Sequence, residues 1–192
     1  MKKILLFVII FFSTIFNINA EEIKRIVVGD KNAKITIITF ESLTCSHCAN
    51  FHKDVYPELK KDYLDTGLAK IEFRHFPLDI AAFNASKISQ CKNDGDSNIL
   101  NSLFANQQKW VKGSTIEKAN ENLQKFLDNE GFNIDLEKCT NNKEIEDFVL
   151  NDRIGGTKNF KVNATPTIII NNEKFEKTLN YKNLKKALEK LI

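Results

Sequence analysis

The strongest constraint on this chain is a change of backbone period with a pair of cysteines at the junction. Ile35-Thr36-Ile37-Ile38-Thr39-Phe40 is rich in β-branched residues and predicts a strand. Soon after it, Cys48, Phe51/His52, Val55, Leu59 and Tyr63 recur at helical spacing, which predicts a helix from near Cys45 to about Asp65. Ser42 and Thr44 are candidate caps, Pro57 predicts a kink because it removes a backbone donor, and Gly67 ends the segment. Ala69, Ile71 and Phe73 then alternate with Lys70, Glu72 and Arg74, a second strand. Cys45-Ser46-His47-Cys48 therefore sits where a strand hands over to a helix inside a β-α-β unit.

That position has a chemical meaning. At a helix start the backbone N–H groups point outward and the helix dipole favours an anion, so the Cys45 thiolate is stabilised. Cys48 lies one turn on, within reach of a mixed disulfide formed on Cys45. The His47 imidazole offers a further donor or positive charge. Other uses of these residues compete. A zinc site built from Cys45, Cys48 and His52 lacks a well-spaced fourth ligand, so no metal is expected. A structural disulfide within Cys-x-x-Cys would be strained and labile. Copper handling is the rival from a different class, with His47, His52 and His75 available beside the cysteine pair.

The compartment is set by the N-terminus. Lys2-Lys3, an apolar run from Ile4 to Phe12, and a more polar stretch ending on Ala20 before Glu21-Glu22 follow the order of a secretory signal peptide over residues 1–20. The apolar stretch to Ile18 is shorter than the roughly 20 residues that span a bilayer, so cleavage is expected over an uncleaved anchor. Exported proteins keep their disulfides. The formal charge is +3; taking Lys2 and Lys3 from 28 basic residues leaves 26 against 25 acidic ones, too balanced for a nucleic-acid footprint.

Between Leu78 and about Thr157 the pattern is helical. Four helices are expected, marked by Ile80–Cys91, Ile99–Trp110, Ile116–Leu127 and Ile145–Asp152, with Gly155-Gly156 ending the block. Thr167-Ile168-Ile169-Ile170 predicts a strand, Asn171-Asn172 a two-residue hairpin, Lys174-Phe175-Glu176 a returning strand, and Leu184, Leu188 and Leu191 a last helix. Val27-Val28 is a short leading strand. The 192 residues suit one domain with an insertion.

Phe40-Glu41-Ser42-Leu43-Thr44-Cys45-Ser46-His47-Cys48 and the distant Asn163-Ala164-Thr165-Pro166-Thr167-Ile168-Ile169-Ile170-Asn171 together resemble the DsbA-type disulfide oxidoreductases. The resemblance implies an α/β thioredoxin fold with an inserted helical subdomain: residues 21–77 and 158–192 forming the thioredoxin-like part and residues 78–157 the insertion. It implies that Cys45 attacks, Cys48 resolves and His47 tunes the thiolate, without a cofactor. It also implies a cis-proline at Pro166, with Thr165 presenting its backbone to an extended substrate. In this family a thiol pKa lowered from about 8.5 to about 3.5, or a potential raised by ~150 mV, each corresponds to about 7 kcal/mol, so thiolate stabilisation alone can make a strong oxidant.

The implied setting is the periplasm. The implied partners are exported proteins with reduced cysteines and a quinone-linked membrane protein of the DsbB type that reoxidises the pair. A monomer is expected, since the catalytic fold nearly fills the chain and leaves no dimerisation module. Isomerase or reductase activity of the same fold stays open, because Thr165 resembles the residue before the proline in isomerase-type members. Four cysteines allow three connectivities. With Cys45–Cys48 as the redox pair, a structural Cys91–Cys139 disulfide is implied; it would close a loop of about 48 residues and contribute roughly 4 kcal/mol. Thioredoxin-fold enzymes commonly carry a buried acid six residues before the first cysteine. That acid is the proton acceptor for the resolving thiol; here its position is Thr39, and Glu41, on the same side of the strand, is either a substitute for it or, as expected first, an acid at the surface or facing a loop.

Overall fold

The structure, a computed structural model, describes residues 22–192, so the expected signal segment lies outside the described residues. One sheet has the order β1-β3-β2-β4-β5, with β1 Val27–Gly29, β2 Ile35–Glu41, β3 Ala69–His75, β4 Thr167–Ile170 and β5 Glu173–Lys174. β2 runs parallel to β3, from Ile35 opposite Ala69 to Glu41 opposite His75. It is antiparallel to β4, with Phe40 opposite Thr167. The β4–β5 hairpin turns on Asn171 and Asn172, whose φ values of 46° and 72° are those of a tight two-residue turn.

β2 is apolar almost throughout because both of its faces are covered. Ile35 and Ile37 enter the larger core with Phe51, Leu59, Ile71 and Leu184. Ile38 and Phe40 enter a second, smaller core with Phe76, Val162 and Ile169. The parallel β2–β3 pair requires a crossover, supplied by α1 (Ser46–Asp54), α2 (Tyr56–Leu59) and one π-helical turn over Lys60–Leu64. The interruption expected from Pro57 takes the form of a break at Val55. It places the proline in the first turn of α2, where a missing N–H costs nothing.

Between β3 and β4 lie α3 (Ile80–Gln90), α4 (Asn98–Ala105), α5 (Gln107–Trp110), α6 (Ile116–Asn129), α7 (Leu136–Thr140) and α8 (Lys143–Phe160); α9 (Tyr181–Leu188) follows the hairpin. Several details differ from expectation: the returning strand is Glu173–Lys174 rather than 174–176, and α9 ends at Leu188, short of Leu191. The segment expected as one helix through Trp110 breaks at Asn106, which leaves helical geometry at φ −115° and ψ 21°. The short α7 carries Cys139 and starts from an Asp135 side-chain cap, too brief a run for periodicity to show. Gly155-Gly156 does not end a helix: α8 continues to Phe160 and closes on left-handed Lys161. The glycine at 156 serves packing instead. A Cβ there would lie 2.7 Å from the Phe40 ring, so only hydrogen allows α8 to press this closely onto β2.

Candidate active site

Cys45 is itself the N-cap residue of α1, and no side chain caps that helix. Ser42 and Thr44, the expected caps, are used elsewhere. The Thr44 hydroxyl donates to Asp79 Oδ2 at 2.7 Å, while Ser42 Oγ accepts from the Leu78 N–H at 3.3 Å. Asp79 in turn caps α3 by accepting from the Ala82 N–H at 2.7 Å. Gln107, brought into place by the break at Asn106, donates from Nε2 to the carbonyls of Leu43 at 2.8 Å and Cys45 at 3.1 Å. The loop before Cys45 is thus fastened to α3 and α5, and the helix start stays open towards the sulfur.

The two thiols are free and unlike one another. Cys45 is half-buried and Cys48 fully buried. The Cys45 thiol is lowered to about 5. The chief cause is the hydrogen bond from the Cys48 thiol; partial burial opposes it, and Thr165 and the backbone N–H groups of Cys48 and His47 add to it. Burial pushes the Cys48 thiol strongly up, and its hydrogen bond to Cys45 and the Glu41 carboxylate push it the same way. Proximity of the Cys45 and Cys48 sulfurs therefore gives one thiolate and one thiol at neutral pH.

Thr165 faces Cys45 from the far end of the chain. The Cys45 thiol donates to the Thr165 carbonyl at 3.3 Å, and the Thr165 hydroxyl, buried with no partner of its own, stabilises the thiolate form. The Thr165–Pro166 peptide bond is cis. His47 is exposed; its contribution to the thiolate comes from its backbone N–H rather than from its imidazole.

The other two histidines are buried and engaged. His75 sits among Gln90, Asp152 and Phe148, with Gln90 Nε2 2.8 Å from its Nε2 and its own backbone N–H donating to Asp152. Burial lowers it to about 4. His52 lies parallel to the Phe104 ring, centroids 4.1 Å apart, and its Nε2–H donates to Glu41 Oε2 at 2.9 Å. Among the described residues no group of three His, Cys, Asp or Glu side chains is arranged to hold a metal ion, so the copper set of the sequence reading is not assembled.

Glu41 was expected at the surface or facing a loop, and the structure corrects this. It is 4% exposed, and its Oε1 accepts from the Thr39 hydroxyl at 2.9 Å. Residues 39 and 41 share a strand face by the period of two, and that face is covered by α1, so the acid is enclosed with His52. A sequence signal existed: His52 follows Cys48 by four residues, one helical turn along the same face.

Cys91 and Cys139 form a disulfide with Cα atoms 5.6 Å apart, joining the end of α3 to α7.

Residues 21–190 match the family described as Thioredoxin. Among solved structures, the chain resembles Wolbachia pipientis alpha-DsbA1 at 29% identity and TM-score 0.77, covering 87% of this chain and 90% of that one. It resembles oxidised BdbD of Bacillus subtilis at 25% identity and TM-score 0.68, covering 86% and 91%. Disulfide bond formation protein D of Bacillus subtilis is 28% identical over 183 residues, 85% of this chain and 75% of that protein. A Rickettsia bellii protein named as a protein-disulfide oxidoreductase is 29% identical over 169 residues; the chain spans 64% of its length. With nearly all of its described residues matched, the chain belongs to the thioredoxin family, among its DsbA-like members.

Proposed function

We propose that the protein is an exported thiol:disulfide oxidoreductase that donates a Cys45–Cys48 disulfide to proteins with reduced cysteines in the periplasm. The observation that carries this is the asymmetry of the pair: a half-buried Cys45 whose thiol is lowered to about 5, and so is a thiolate at neutral pH, beside a buried Cys48 held as thiol. A stabilised thiolate makes the reduced pair the better leaving state, so the disulfide is a strong oxidant. A substrate thiolate attacks the Cys45 sulfur, Cys48 departs and takes up a proton, and a second substrate thiolate then attacks the substrate sulfur and releases Cys45 as thiolate. The Thr165 carbonyl lies 3.3 Å from the Cys45 sulfur, and Thr165 and the cis Pro166 after it would receive the substrate chain. Cys91–Cys139 is structural in this scheme. A DsbB-like membrane protein would restore the disulfide, and the enzyme would act as a monomer.

Equilibration of the pair with glutathione buffers tests the direction. Thioredoxin and DsbA couples stand at about −270 mV and about −120 mV. A value nearer the second is expected; one at the thioredoxin end would reassign the protein as a reductase.

A further inference from the structure

We propose that Gln107, carried by the helices between β3 and β4, is a positioning residue of the thiol exchange: by donating to the carbonyls of Leu43 and Cys45 it leaves the Cys48 backbone N–H to the Cys45 sulfur. The inference rests on the Cys45–Cys48 exchange proposed above and adds a residue that sets its strength.

Cys45 is the N-cap of α1, so its carbonyl is the first acceptor of the helix. Three donors converge on that one oxygen. The Ala49 N–H is its ordinary helical partner four residues on; the Cys48 N–H and Gln107 Nε2 reach it as well, each of the three at 3.1 Å. A carbonyl oxygen has two lone pairs. With Ala49 on one and Gln107 on the other, the Cys48 N–H is the surplus donor. That same N–H is among the groups that favour the Cys45 thiolate. A hydrogen bond to an ionised acceptor is about twice as strong as one to a neutral oxygen, so the surplus donor is best used on the sulfur. Were Gln107 unable to donate, the Cys45 carbonyl would draw the Cys48 N–H back, and the thiolate would lose part of its support.

The aim of Gln107 is fixed by its helix. It opens α5, just after the break at Asn106. Trp110, 1% exposed, anchors that helix by donating from Nε1 to the Leu103 carbonyl at 2.9 Å. The second bond of Gln107 Nε2, at 2.8 Å to the Leu43 carbonyl, ties the turn two residues before Cys45. The same loop is held independently through Thr44 and Asp79, and through Ser42 and the Leu78 N–H. Loss of the Gln107 bonds therefore changes what reaches the Cys45 carbonyl without releasing the loop. The carboxamide is uncharged and donates at every pH. The charged groups on the elements that meet here have other partners. Glu41 accepts from Thr39 and His52, Asp79 is bonded to Thr44 and the Ala82 N–H, and Lys109 of α5 lies 3.8 Å from Glu130. A neutral replacement at Gln107 leaves all of them in place.

The test compares Gln107→Met, which keeps the length and removes the donor, with Gln108→Met, the same change on the exposed neighbour. Two readouts are taken: alkylation of Cys45 against pH, and equilibration with glutathione. In the second, one oxidised glutathione takes two electrons from the reduced Cys45–Cys48 pair, giving the protein disulfide and two reduced glutathiones. Gln107→Met is expected to raise the alkylation inflection by about one unit, the weight of one hydrogen bond. It should shift the glutathione equilibrium about tenfold towards the protein disulfide, a potential ~30 mV less oxidising. Gln108→Met should match the parent in both. Parental values in Gln107→Met overturn the proposal, even with a lower urea midpoint, because Gln107 would then be only a structural tie. An equal shift in Gln108→Met overturns it too. Should Gln107→Met not fold, the parent protein supplies the reading. The nuclear resonances of the Gln107 side-chain amide should move with the ionisation of Cys45, and resonances unmoved across that titration overturn the proposal. A parent potential at the thioredoxin end would sink the oxidase reading instead, while Gln107 is still judged by the difference between variant and parent.

Discussion

Two adjacent glycines in α8 are predicted to respond oppositely to the same substitution. Gly155→Ala places a methyl group whose nearest neighbour is Asn159 Nδ2 at 3.9 Å, an ordinary contact. It should gain most of the roughly 1 kcal/mol by which alanine exceeds glycine inside a helix. Gly156→Ala gains the same propensity but drives its Cβ to 2.7 Å from one Phe40 ring carbon and 2.9 Å from another. Phe40 is 0% exposed and is flanked by Phe76 and Phe160 at centroid distances of 6.5 and 5.7 Å, so the ring has little room to retreat. Overpacking of this kind costs about 1–3 kcal/mol. The two variants should therefore differ by about 1–3 kcal/mol, with Gly155→Ala above the parent and Gly156→Ala below Gly155→Ala. Urea unfolding of the oxidised protein measures this directly, provided the slope against denaturant is unchanged. A Gly156→Ala protein as stable as Gly155→Ala would refute the account of close α8–β2 approach.

Three further outcomes follow from the site and its supports. Iodoacetamide alkylation of reduced protein should report a Cys45 inflection near 5. In Cys48→Ala, which lacks the largest stabilising hydrogen bond, the inflection should move up, and an unmoved curve would place the cause elsewhere. Replacing both Cys91 and Cys139 by alanine removes a bond that closes 48 residues of sequence separation. The loss should be roughly 4 kcal/mol in a chain-entropy treatment, read from the denaturant midpoint. His75 is lowered from 6.5 to about 4, so below 6.5 the unfolded chain binds a proton that the folded chain refuses. Stability should thus fall as pH drops from 6.5 towards 4, by on the order of 3 kcal/mol, and level off below that. His75→Gln should flatten this part of the profile; an unchanged slope would assign it to other groups.

The parts legible from sequence were those governed by local period and by the chemistry of a junction. The β-branched run of β2, the alternation of β3, the hairpin at Asn171-Asn172 and the cysteine pair at the start of α1 all lie on such signals. Glu41 was not legible because its burial is decided by α1 folding back over the strand. A carboxylate at the end of a strand reads as exposed until its partner His52 is placed. Gly156 was misjudged for a related reason: a glycine pair is a common helix stop, and only the position of Phe40 reveals that the residue serves a close contact. The break at Asn106 carries no glycine or proline, yet it is what delivers Gln107 to the carbonyls of Leu43 and Cys45.

The contact between Cys45 and Thr165 spans 120 residues of chain, and β4 joins β2 across a similar interval. Contacts so distant along the chain are slow to form, because the entropy of closing a long loop is lost before the contact is made. During synthesis, the helix start that cradles the Cys45 sulfur can form from one short stretch, whereas its Thr165 neighbour emerges 120 residues later. A nascent chain thus carries a cysteine pair without its full surroundings. The protein's own four cysteines must sort themselves before the surroundings of Cys45 are complete.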